Sequence, residues 1–163
     1  MKTGLAILAL IVLGACRTAT QPAAPCGSTQ RGCETRAFAV RLKPGDDLRR
    51  TLEEFAAHHQ LHAAYVATCA GSLKVAAIRF AGQKEATTLT GPFEIASLTG
   101  TFSTDGPHLH ISVSDASGWT FGGHLAEGSL VYTTAEVVIV ELIGTRFRRE
   151  VDPATTYKEL VVE

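Results

Sequence analysis

Apolar and polar residues alternate with a period of two along most of this chain, and with a period near 3.6 in one stretch. Arg36 to Leu42 (RAFAVRL) alternates and reads as a first strand. Pro44-Gly45 ends it, and Asp46 or Asp47 is placed to cap a helix, because a carboxylate accepts from the free N–H groups of the first turn. The helix is expected from Leu48 to His59, with Leu48, Leu52, Phe55, Ala56 and His59 along its inner face. Arg49 and Glu53, four apart, can pair on its outer side. His58, His59 and His62 fall around its C-terminal end and read as capping or surface residues.

After the helix the pattern returns to strands. Tyr65–Cys69 and Leu73–Phe80 are expected on either side of Gly71, Lys84–Leu89 as a short strand, and Phe93–Phe102 as a long one with a bulge or bend at Gly100. Gly106-Pro107 marks a turn before His108–Ser114, where His108, His110 and Ser112 share one face and Leu109, Ile111 and Val113 the other. Asp115 to Gly118 turns the chain, and Trp119–Phe121 leads to Gly122-Gly123, expected as a tight turn before His124. Leu130–Tyr132 is short, and Ala135–Leu142 (AEVVIVEL) is apolar enough for a central strand buried on both faces. Arg146–Glu150 is charged, and Tyr157–Val162 is expected to close the sheet. One helix and many strands predict an α+β domain with a mostly antiparallel sheet.

The first residues follow a different rule. Lys2 supplies a positive start, Gly4 to Val12 is an apolar run, and Leu13-Gly14-Ala15-Cys16 follows. The run is shorter than the ~20 residues a spanning helix needs and has the layout of a secretory signal, residues 1–15. Leu-Gly-Ala-Cys resembles the bacterial lipobox, which makes Cys16 the lipidated residue and places the protein in the cell envelope, on a membrane surface facing the periplasm or exterior. Arg17 after the cysteine favours sorting to the outer membrane. Residues 16–35, rich in Ala, Thr, Pro, Gly and Gln, read as a flexible tether ahead of a domain over 36–163. In an exported chain Cys26 and Cys33 are expected to form a disulfide rather than half of a zinc site, and Cys69 to be a buried thiol.

Composition narrows the function. The chain has 163 residues, room for one ordinary domain, and its 45% hydrophobic content suits a folded one. Fifteen basic side chains face 16 acidic ones, so the excess of positive charge usual in nucleic-acid binders is missing. Arg146, Arg148 and Arg149 are the one basic cluster to test for that role.

The chemistry lies in the histidines. His108 and His110 point the same way from one strand, ~7 Å apart at Cα, and His124 follows 14 residues on. Three neutral imidazoles with an open fourth position suit a divalent metal, zinc first, although imidazole also suits copper, iron and nickel. Such a metal can turn water into a nucleophile near neutral pH. Glu94 and Glu136 are the candidates for a general base, and whether the site is catalytic stays open. The competing reading is a polar network or subunit contact built from the same histidines.

Four segments in order, GPFEIASLTGTF, GPHLHISV, GGHLAEG and TTAEVVIVEL, resemble the PPC domain, the plants and prokaryotes conserved domain. The resemblance runs from about Arg36 to the C-terminus. It implies a PPC-like α+β fold and a homotrimer, and bacterial members whose equivalent histidines look like metal ligands. Plant members bind DNA through an Arg-Gly-Arg-Pro hook, which this sequence lacks. An exported protein would not meet chromosomal DNA, so the resemblance favours an interaction or small-molecule module over DNA binding.

Overall fold

A computed structural model describes residues 33–163. The expected signal, Cys16, most of the tether and Cys26 lie outside the described residues, while Cys33 is exposed. The elements are β1 (Thr35–Leu42), α1 (Leu48–His58), β2 (Ala63–Arg79), β3 (Thr87–Ser103), β4 (Gly106–Ser114), β5 (Thr120–Leu125), β6 (Leu130–Leu142), β7 (Phe147–Val151) and β8 (Lys158–Val162).

The single helix begins where the aspartates were expected to cap it. Asp47 Oδ1 accepts from the Arg50 N–H at 3.1 Å, and Arg49 reaches Glu53 at 3.6 Å. Leu48, Leu52 and Ala56 are buried, Phe55 and His59 stack at 4.3 Å, and both rings meet Phe38 of β1. The helix therefore covers the sheet face that also carries Leu42, Leu109, Ile111, Val113 and Ile139, all buried.

The sheet has six strands in the order β1-β6-β2-β3-β4-β5, every pair antiparallel. It also curls back on itself. Past Val75, β2 exchanges β6 for β5 as a neighbour, with Ile78 opposite Leu125 and Arg79 opposite His124. β2, β3, β4 and β5 thus close a small ring. The turn after β5 is locked by two buried side chains. Ser129 Oγ accepts from Ala77 N–H at 3.0 Å, and Asp47 Oδ2 accepts from Gly128 N–H at 2.6 Å.

Several boundaries differ from the sequence reading, and backbone pairing explains each. The two strands expected around Gly71 are one strand, because glycine lets β6 come close there. A Cβ at Gly71 would lie 2.2 Å from the Thr134 carbonyl oxygen, and its φ is +151°. Of the expected Lys84–Leu89, residues 87–89 merge with Phe93–Phe102 into β3 while 84–86 stay in the loop before it, and Leu130–Tyr132 and Ala135–Leu142 merge into β6. The register break between β3 and β4 falls between Ile95 and Ser97, while the pairing at Gly100 is regular. AEVVIVEL is buried on one face only. Val137 and Ile139 face the helix, but Val138 and Val140 on the outer face are half-buried. Tyr157–Val162 does not close the sheet. Its β8 pairs with β7 in a separate ribbon, which the Phe147 carbonyl oxygen, accepting from Thr104, and the Asp105 carboxylate anchor to the β3–β4 hairpin.

Candidate metal centre

The sheet face opposite the helix is open, and the histidines stand on it. Thr101 lies opposite His108, Thr99 opposite His110, and His110 opposite His124. Directly opposed residues project to the same side. The three rings accordingly cluster, with centroids 5.1, 5.2 and 5.6 Å apart. One ring nitrogen from each lies within 4.8 Å of the others, the one such group of potential ligands among the described residues. Tetrahedral zinc with Zn–N bonds of ~2.0 Å needs nitrogens ~3.3 Å apart, a distance within reach of small ring rotations. His124 Nδ1 is buried and has no hydrogen-bond partner. A polar network would have satisfied that atom, whereas a metal ion uses its lone pair. The residues fit the ion.

Gly122-Gly123 does not turn the chain before His124. Both glycines lie within β5, squeezed from two sides. A Cβ at Gly122 would meet the Ile111 carbonyl oxygen of β4 at 2.3 Å, and one at Gly123 the Arg79 carbonyl oxygen of β2 at 2.6 Å. Their small size admits β5 between its neighbours and so delivers His124 to the cluster.

Burial and nearby charge favour the neutral form of His124 and His108. Burial pushes His124 down to about 4, helped by the Arg79 guanidinium and by His108 and His110. His108 is lowered as well, by burial first, then by Arg149 and His110, against a weaker opposing pull from Glu159. Neutral imidazole is the ligating form. The same shifts predict an acid-sensitive fold. The unfolded chain protonates its histidines below ~6.5, while folded His124 resists until about 4. Between those values the unfolded state binds more protons, so stability rises with pH through the window and is lost on acidification. Urea midpoints of metal-free protein at pH 7.0, 5.5 and 4.5 should fall in that order, and His124→Gln should flatten the slope. An unchanged slope in the variant would refute this.

The structure does not bring the proposed general bases to the cluster. Glu94 is exposed and pairs with Ser114, four residues or ~13 Å along β4 from His110. Glu136, on β6, pairs with Arg41 of β1 and Ala70 of β2, three strands or ~14 Å away from β4. Two arginines come instead. Arg79 lies opposite His124, and Arg149 Nη2 donates to Thr101 Oγ1 at 3.1 Å, beside His108. Arg149 was legible only as part of a basic cluster. Arg148 of that cluster is committed to Glu150 at 2.7 Å and to Glu163. Cys69, on β2, is half-buried, and burial raises its thiol to about 11, which keeps it protonated and inert.

Fold and cluster together define a class: a small antiparallel α+β domain with three histidines gathered on an open sheet face. Residues 29–143 match the sequence model of the Plants and Prokaryotes Conserved (PCC) domain, and the chain belongs to that family. It is 47% identical over 128 residues to the bifunctional protein GlmU of Synechococcus sp. (strain JA-3-3Ab), a match covering 78% of this chain and 21% of that protein. The chain thus spans about a fifth of the length of the curated relatives it matches. A hypothetical protein from Salmonella cholerae-suis has a similar structure, with a TM-score of 0.79 and 43% identity over 82% of this chain and 96% of that one. A metal-containing protein from Archaeoglobus fulgidus matches with a TM-score of 0.67 and 30% identity, over 80% of this chain and 96% of that one. A Ralstonia eutropha protein named as a candidate DNA-binding protein matches at 0.66 and 26%, over 77% and 90%.

Proposed function

We propose that this PCC-domain protein holds one divalent metal ion, zinc first, on His108, His110 and His124, and uses it to bind or hydrolyse a small molecule. The observation that carries the reading is the convergence of three ring nitrogens within 4.8 Å, one of the imidazoles holding a buried, unpartnered nitrogen. The metal-containing Archaeoglobus relative supports it. When bound, the ion polarises a substrate oxygen and makes water a stronger acid. The histidines hold it in place, and burial, foremost, keeps His124 and His108 unprotonated.

The test is metal content. Plasma mass spectrometry of purified full-length chain should find about one divalent ion per chain without added metal. Its absence, with trimers that fall apart on histidine substitution, would favour a non-catalytic interaction module. The same proposal assigns the outer face of β1 and β6, where Ala37 and Ala39 are exposed and Val138 and Val140 half-buried, to two further copies of this chain in a homotrimer. It also places the protein in the cell envelope on a lipid anchor at Cys16. Cys16→Ala should move the protein from the membrane pellet to the soluble fraction, and an unchanged distribution would refute the anchor. DNA binding, suggested by the Ralstonia relative's name, requires duplex affinity that falls steeply with salt.

A further inference from the structure

Among the described residues, two buried side-chain nitrogens have no hydrogen-bond partner: His124 Nδ1 and Arg149 Nε. His124 stands on the open sheet face, and Arg149 reaches that face from β7 through Thr101. Such atoms are rare in folded proteins and ask for a missing partner. The metal reading supplies one for His124. Arg149 Nε calls for a different one, since a guanidinium nitrogen is only a donor and cannot ligate a cation.

The charge around the cluster points the same way. Arg36, Arg49, Arg50 and Arg148 all pair with carboxylates. Arg41, Arg79, Arg146 and Arg149 form no ion pair among the described residues, and of these Arg79 and Arg149 stand beside the histidines. Arg79 stands opposite His124 and has one side-chain contact, to the Gln83 carbonyl oxygen at 3.4 Å. Arg149 is held beside His108 by Thr101 Oγ1 at 3.1 Å and by the Lys158 carbonyl oxygen at 3.5 Å. The Asp105 carboxylate takes the Arg149 backbone N–H at 2.8 Å rather than its guanidinium, and Glu159, whose charge acts on His108, is exposed and accepts from Thr155 Oγ1 at 3.0 Å. A divalent ion would add two more positive charges near these guanidiniums, neither of which is paired with a carboxylate among the described residues. Beside His110, the hydroxyls of Ser97, Thr99 and Ser112 continue the face as a shallow polar groove of about 370 Å³, large enough for a small ligand.

We infer that the site takes a small oxyanion, a carboxylate or phosphate group, which fills the metal's open position and is clamped between Arg79 and Arg149, with the polar remainder of the molecule lying along the groove of Ser97, Thr99 and Ser112. The inference rests on the metal reading of the three histidines. A guanidinium edge offers Nε and one Nη in a fork that matches two oxygens of such a group, and a charge-assisted pair of this kind is stronger than a neutral one.

Cobalt makes the two readings separable. Full-length protein is loaded with Co²⁺, and its visible spectrum is followed while inorganic phosphate or acetate is added. Both anions should perturb the cobalt bands saturably, and the tighter one identifies the group preferred. Arg79→Gln and Arg149→Gln should each weaken anion binding at least about tenfold and leave cobalt affinity within about threefold. Should Arg149→Gln disturb the ribbon, Arg79→Gln decides alone, because its side chain supports no other element. Equal anion affinity in wild type and Arg79→Gln, with cobalt bound, would overturn the clamp and leave the metal site standing. Failure of wild type to bind cobalt would overturn both.

Discussion

Replacing His108 and His110 together with alanine should remove bound metal, from about one ion per chain to a trace, while the domain stays folded. Three protein ligands are the minimum for a tightly held zinc ion, and even the outer residues that orient ligands are worth 10–100-fold in affinity. Loss of two ligands should exceed that range. The fold should tolerate the change because neither ring belongs to the core. His110 is exposed, His108 is half-buried, and the apolar face of the same strand is carried by Leu109, Ile111 and Val113. A stability change within about 1 kcal/mol is therefore expected for metal-free protein. Plasma mass spectrometry and urea unfolding on the same samples read the two effects separately. Metal retained in the variant would place the ion elsewhere, and a collapse of the metal-free fold would make the histidines structural.

The second large effect is expected far from the cluster, at Asp47. Its carboxylate is buried and divided between two duties. One oxygen caps α1 through the Arg50 N–H, and the other receives the Gly128 N–H at 2.6 Å. Asp47→Ala removes a helix cap, worth about 1 kcal/mol, and the charge-assisted hydrogen bond from the Gly128 N–H, worth about 1.5–3 kcal/mol. The expected loss is about 2–4 kcal/mol, seen as a lower urea midpoint at unchanged slope. Asp47→Asn should recover part of it, since one amide oxygen can serve only one of the two donors well. The Gly128–Ser129 turn follows His124 closely and holds β5 against β2, so Asp47→Ala should also weaken metal binding. A loss below about 0.5 kcal/mol would show that water replaces the carboxylate at both positions.

The two predictions separate what is local in this chain from what is not. Period-two alternation and one amphipathic stretch are properties of neighbouring residues, and they set the α+β class, the helix Leu48–His58, its aspartate cap and the strand His108–Ser114. They also placed His108 and His110 on a common face, because side-chain direction along a strand follows from pleating alone. Strand ends were less legible. Gly71 reads as a break in isolation, and only the approach of the Thr134 carbonyl explains why it continues the strand. Gly122-Gly123 misled for the same reason, since glycine serves a tight turn and a close crossing equally well.

Contacts between residues distant in sequence were decided by the tertiary structure. β5 inserts between β4 and β2, setting His124 opposite His110 and Arg79 opposite His124. The ribbon of β7 and β8 leaves the main sheet and carries Arg149 back to Thr101. No periodicity encodes either event, because strand pairing is a choice among edges, settled by the packing of the whole sheet. The sequence alone therefore determined the donor chemistry, three imidazoles on short strands, since residue type and pleat are local. The partners that tune those imidazoles, two arginines in place of Glu94 and Glu136, were decided by which strands became neighbours.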